Sequence, residues 1–252
     1  MNYLRQIAAV AGKDLRSELR TKEALNASLS FAVVILLLFS FVVDPDSEML
    51  EQMSGGLLWM VFAFSGTLIL NRGFARELPN DCLDALIASP IPGSALFLGK
   101  AIANFTLIAI IEIICFPIFG ILYNLTWTAQ LPMLAAVSAL ATWSMATLGT
   151  MFGALTVNMQ LRELMLPMLI YPMLIPALMA AMQLTTLLVS GQPIDAEHQI
   201  WLRVLIAFDI IFTSLAAMRT RSQIWCSASM GWPATSKVVS CMAAIRAGLS
   251  MG

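Results

Sequence analysis

Charge is what this chain lacks most. Asp, Glu, Lys and Arg make up only 12% of its 252 residues, roughly half the share found in a soluble domain. That scarcity excludes most soluble enzyme classes. The 14 Lys and Arg form no dense basic cluster that could follow a phosphate backbone, and a formal net charge of −1 points to no nucleic-acid partner. Cysteine is sparse too. Cys82, Cys115, Cys226 and Cys241 are scattered, with no CxxC pair and no Cys/His spacing suited to a metal. No GxxxxGK[ST] run occurs, so no loop of this chain is built to cradle nucleotide phosphates. No catalytic residue and no metal ligand is assigned.

What is present is hydrocarbon. The apolar fraction is 59% and the mean hydropathy +0.83. Crossing a bilayer takes roughly 20 residues of helix, and six runs come near or exceed that length: 25–43, 55–71, 95–123, 131–157, 164–189 and 200–218. Asp44-Pro45-Asp46 is a turn that stops the first. Residues 1–24 carry charge throughout and lack a short apolar core before a small-residue cleavage site. They read as a retained segment rather than a cleavable signal peptide.

Cations set the expected orientation. Arg5, Lys13, Arg16, Arg20, Lys22, Arg72, Arg76, Lys100, Arg162, Arg219, Arg221, Lys237 and Arg246 fall at the termini and even-numbered loops. Arg203 alone falls on the other side, where Asp44, Asp46, Glu48, Glu51, Asp195 and Glu197 gather. Both termini are therefore expected on the cytoplasmic side, and an even number of spans agrees in putting them on one side. Trp59, Trp127 and Trp201 lie near span ends or loops, where interfacial anchors sit. The methionines, 17 in all, fall mostly in apolar spans and read as packing.

Two elements are expected at that surface. Residues 3–22 have helical periodicity, with Leu4, Ile7, Ala8, Ala11, Leu15 and Leu19 on one stripe and Arg5, Lys13, Arg16 and Arg20 opposite. Such a helix lies in the interface with its cations toward headgroups. The 72–94 loop is too polar to span. Asn80 or Asp81 can cap a short helix whose apolar face is Leu83, Leu86 and Ile87, ended by Ser89-Pro90-Ile91-Pro92-Gly93.

Arg76-Glu77, Leu83-Asp84-Ala85-Leu86, Ser89-Pro90 and Gly99-Lys100 resemble the first cytoplasmic loop of ABC-2-type exporter permeases. More narrowly, Arg162-Glu163-Leu164-Met165-Leu166-Pro167, Tyr171-Pro172 and Ile175-Pro176, with Phe208-Asp209, resemble CcmB, the permease family of the cytochrome c maturation (heme exporter) system. The resemblance covers roughly residues 1–218 and is not visible beyond. It implies an all-α integral membrane protein of the bacterial inner membrane rather than an organellar one. The division is an interfacial helix at 1–24, a six-helix permease domain at 25–218 and a cytoplasmic tail at 219–252.

The resemblance further implies no enzyme activity in this chain. ATP would be hydrolysed on a separate CcmA-like ATPase, docked on a coupling loop whose contacts are Arg76, Glu77, Asp81, Asp84 and Leu86. Other heme-handling membrane subunits (CcmC-like, CcmD-like) and a second copy of this chain are implied partners, and heme is the implied cargo rather than a bound cofactor. His198, the only histidine, is a weak iron ligand candidate in an acidic loop, and no CxxCH is present for covalent heme.

Within the spans, Glu112 and Asp209 are the informative residues. A charge at mid-membrane costs about 2.5–3.5 kcal/mol on insertion scales, so each should face protein or a water-filled path. Glu112 could line a translocation route or bond a neighbouring helix. Arg203, six residues before Asp209, is poorly spaced to pair with it. Pro167, Pro172 and Pro176 each remove a backbone donor and should kink the fifth span, as a hinge or as a static bend. Gly149 and Gly153 form a small-xxx-small pair for close packing. Three rival readings remain open here: an ABC-2 permease for another cargo, an ion-driven transporter using Glu112 and Asp209, and a non-transporting assembly scaffold. No internal repeat supports the ion-driven reading.

Overall fold

A computed structural model describes residues 3–42, 48–73, 92–123, 131–156, 161–191 and 198–230. These form seven helices: α1 (Tyr3–Thr21), α2 (Glu23–Val42), α3 (Glu48–Gly73), α4 (Gly93–Leu122), α5 (Leu131–Thr156), α6 (Arg162–Val189) and α7 (Gln199–Met230). No strand occurs among the described residues. Six helices, α2 to α7, are long and apolar enough to cross a membrane. They fall where hydropathy places them because each apolar run is bounded by charge or by turn residues.

The last helix differs from expectation. Its apolar run ends at Met218, before Arg219, yet the helix continues to Met230 rather than stopping there. The added stretch, Arg219 to Met230, contains neither Gly nor Pro, and Gly231 and Pro233 follow at once. Polarity ends a membrane span, but it does not by itself end a helix.

Packing ranks the spans. In α3, 72% of the apolar window is buried, against 17% in α2 and 22% in α7, so α3 is central and the other two present wide faces to lipid. Leu58, Trp59, Val61 and Phe62 of α3 are sealed in the main core with Ile108 and Ile111 of α4 and Ile170 and Leu174 of α6. α5 touches α3, α4, α6 and α7. Gly149 lets α5 approach α3, for a Cβ there would collide with the Leu70 side chain. At the far end Tyr123, just past α4, donates its hydroxyl to the Leu36 carbonyl of α2 at 3.1 Å.

Trp59 corrects an expectation. It is 1% exposed, not an interfacial anchor, because α6 covers it and Thr185 accepts its indole N–H at 2.9 Å. Trp201 is half-buried, and Trp127 lies outside the described residues.

α1 packs mainly on α4, but the buried line is rotated from the expected stripe. Ile7, Val10 and Glu18 are buried, whereas Leu4 is 76% exposed and Leu19 is exposed as well. Polar contacts explain the rotation. Lys100, buried in the first turns of α4, meets Asp14 at 3.2 Å, and Lys13 flanks the same carboxylate at 3.1 Å. Glu18 accepts the Ala24 N–H at 3.0 Å, capping α2. Lys22 turns the corner between the two helices with φ of 56°. Gly99 makes the approach of α1 possible, since a Cβ there would lie 2.7 Å from Val10 Cβ. The face of α1 that meets α4 is thus chosen by charge pairing as much as by apolarity.

Candidate functional site

The long 131–156 run is apolar enough to insert, yet it carries a buried polar seam. Ser138, Thr142, Ser144, Thr147 and Thr150 of α5 are all buried. A hydroxyl can be hosted in a membrane helix when it bonds a carbonyl of its own previous turn. Ser138 does so to Leu134 at 2.9 Å, and Thr150 to Ala146 at 2.7 Å. Their oxygens can still accept, and Thr150 takes a bond from Asn104 Nδ2 of α4 at 3.0 Å.

The two intramembrane carboxyls converge on this seam from opposite sides. Glu112 of α4, 5% exposed, accepts the Thr142 hydroxyl on Oε1. Asp209 of α7, 6% exposed, accepts the Ser144 hydroxyl on Oδ1. Arg203 does not take part. Asp209 Oδ2 is buried with no hydrogen-bond partner among the described residues. Beside this contact Trp143 donates its indole N–H to Thr213 at 3.0 Å, adding a second tie from α5 to α7. Thr142 and Ser144 are two positions apart, so at 3.6 residues per turn they project from nearly opposite sides of α5. One helix is therefore latched to both neighbours. At 1.5 Å per residue, Glu112 and Asp209 each lie about 15 Å from the end of their helix remote from α1, close to half the thickness of a bilayer core.

Of the two readings of Glu112, the bond to a neighbouring helix is the one its contacts give. It also lines a cavity of about 700 Å3 between α4 and α5. Phe105, Phe116 and Leu134 form walls, while Gly120, Ala135 and Ala139 leave the room. Pro117 interrupts the backbone ladder of α4 on the same wall.

Among the other expected site residues, α6 runs unbroken as a helix through Pro167, Pro172 and Pro176. Pro172 and Pro176 are exposed on the outside of the bundle and Pro167 is half-buried. The buried edge of α6 is Leu166, Ile170, Leu174 and Ala177. Tyr171 ties that helix to α3 through a 3.1 Å contact between its hydroxyl and that of Thr67. His198 forms the turn before α7, its carbonyl accepting the Trp201 N–H at 3.1 Å. No group of three or more His, Cys, Asp or Glu that could hold a metal ion occurs among the described residues. The coupling-loop residues Arg76, Glu77, Asp81, Asp84 and Leu86 lie outside the described residues, as does the Arg162 side chain. Sequence reasoning missed the hydroxyl partners Thr142 and Ser144. The signal available was the density of Ser and Thr within one apolar run.

Comparison with known proteins supplies the context for this arrangement. The family model described as CcmB protein matches residues 5–249. That match runs past residue 218, where the resemblance was expected to stop, and takes in the extended end of α7. Heme exporter protein B of Rhodobacter capsulatus is 30% identical over 213 residues, which is 84% of this chain and 97% of the relative. Heme exporter protein B of Pseudomonas aeruginosa is 29% identical over 197 residues, 78% of this chain and 87% of the relative. The Paracoccus denitrificans protein of the same name is 30% identical over 166 residues, 66% of this chain and 76% of the relative. With six apolar helices in a bundle and a family match over nearly its whole length, the chain is a multi-pass membrane protein that belongs to the CcmB family.

Proposed function

We propose that this chain is the permease subunit of an ATP-driven complex of the bacterial inner membrane that delivers heme, or releases a heme-loaded chaperone, for c-type cytochrome assembly. The observation that carries this reading is the match to heme exporter protein B over nearly the whole of a relative. The chain has no phosphate-binding loop of its own, so ATP is hydrolysed on a separate CcmA-like subunit. The 13-to-one division of cations supports both termini and the 72–94 loop on the cytoplasmic side. In that loop Arg76, Glu77, Asp81, Asp84 and Leu86 form the docking surface. CcmC-like and CcmD-like subunits complete the complex, and two copies of this chain give two docking sites.

The bundle supports a route for the coupling. The loop joins α3 to α4, and α4 begins by gripping α1 through Gly99 and the Lys100–Asp14 pair. A push on the loop therefore moves α1 and α4 together. α4 in turn meets α5 at Glu112–Thr142, and α5 meets α7 at Ser144–Asp209. The prolines of α6 give that helix compliance where backbone bonds are missing. Glu112 and Asp209 act here as positioning residues on α5.

Complementation tests the reading. This chain should restore heme-stained c-type cytochromes to a strain lacking its own heme exporter protein B. Normal insertion of the chain beside the other complex subunits, with no c-type cytochrome formed, would overturn it.

A further inference from the structure

The α4–α5 cavity is more than slack in the packing. Its volume of about 700 Å3 is within the range of small-molecule sites, roughly 300–1,000 Å3 with apolar walls and a few converging polar groups. It opens sideways: Ile113 and Ile121 on its rim are 69% and 81% exposed on the outside of the bundle.

Its polar groups are Glu112, Ser138 and the Ile113 carbonyl. Thr142 spends its proton on Glu112 Oε1, and among the described residues nothing donates to Oε2. Ser138, also on the lining, spends its proton on the Leu134 carbonyl. Pro117 has no N–H to give the carbonyl of Ile113, one turn earlier on the same wall. With no cation beside it at this depth, Glu112 sits as a neutral acid, so a guest that fits must be a base that takes its proton and returns N–H donors to the carboxylate and the other acceptors.

Ordinary lipid does not meet that requirement. Glu112 is about 15 Å from the remote end of α4, near the bilayer centre. A phospholipid from either leaflet offers only methylene and methyl groups at that depth, and these leave an acceptor unsatisfied in hydrocarbon. A guest with carboxylates of its own would bring a second acid and no base. We propose that the α4–α5 groove binds a small apolar amine, which enters sideways from the membrane and docks its N–H donors on Glu112, with Ser138 and the Ile113 carbonyl as further acceptors. This site does not depend on the heme-delivery reading, and an anionic cargo would not share it.

The test uses the full chain in lipid nanodiscs and two photoreactive diazirine probes, an alkylamine and its methyl-ether counterpart. Labelled peptides are mapped by mass spectrometry. The amine should label 105–121 and 131–139 saturably, and unlabelled amine should suppress it. Glu112→Gln keeps an acceptor for Thr142 but removes the acidic proton that a base would take. It should weaken apparent amine affinity by about tenfold or more, worth ~1.4 kcal/mol, and leave the ether unchanged. Ala135→Trp, which fills the groove, should abolish saturable labelling, whereas Ile206→Trp on the exposed face of α7 should not. If Glu112→Gln fails to fold, the two tryptophan variants decide. Equal labelling by amine and ether, or non-saturable labelling spread equally over α2, would mean partition into lipid only and would overturn the site.

Discussion

Replacing Asp14 by alanine should loosen α1 from the bundle while the six spans stay folded. Lys100 is 3% exposed, and its Nζ lies 3.2 Å from the Asp14 carboxylate. Breaking a buried ion pair by removing one partner costs about 3–5 kcal/mol, because the other charge stays buried. Asp14 retains 21% of its side-chain exposure, so water softens the loss, and about 2–3 kcal/mol is a fair expectation. Local opening of α1 should then become more frequent by roughly 30- to 150-fold. Hydrogen exchange followed by mass spectrometry on the protein in nanodiscs reads this directly: amides of 3–21 should exchange faster by that factor, with those of α3 unchanged. Replacing both partners by apolar residues, Asp14→Leu with Lys100→Met, should recover most of the protection. Exchange within threefold of wild type in Asp14→Ala would refute the reasoning. So would independent, additive effects of Asp14→Ala and Lys100→Met in a double-mutant cycle.

Three further outcomes follow from packing and hydrogen bonding. Thr185→Val strands the buried Trp59 indole N–H and should cost about 1–3 kcal/mol, seen as a lower unfolding midpoint in detergent. Gly99→Ala brings a Cβ against Val10 Cβ and should cost about 1–3 kcal/mol by overpacking, read as faster exchange of α1 amides in the same experiment; Val10→Ala keeps the clashing Cβ and should not restore full protection. Ser144→Ala removes the donor to Asp209, whose other oxygen is already buried without a partner. That variant should lose about 1–3 kcal/mol, and Asp209→Leu in the same background should regain part of it.

The spans were legible because a bilayer demands long apolar runs, and α2 to α6 begin and end within a few residues of the charges and turns that frame them. The extended end of α7 was not legible, since polar residues compatible with helix look like a tail when only hydropathy is followed. Glu112 and Asp209 stood out because charge is rare at such depth. Their partners Thr142 and Ser144 lie 30 and 65 positions away, and no periodicity within one helix can connect them. The same holds for α1, where the amphipathic pattern was plain but the choice of face was not. Asp14 is drawn inward by Lys100, 86 positions along the chain. Trp59 shows that closeness to a span end is not closeness to water, since α6 covers that end of α3.

The most direct measurement is affinity purification of this chain from its native membrane, wild type beside an Asp84→Arg, Leu86→Asp double variant in the α3–α4 loop. ATPase activity and heme-stained c-type cytochrome are read from the same cells. An ATP-driven heme-delivery permease predicts that a soluble ATPase subunit comes down with wild type and is lost in the variant together with the cytochrome. Recovery of no ATPase with the wild-type chain, or a variant that loses the ATPase while c-type cytochrome stays at the wild-type level, would contradict it.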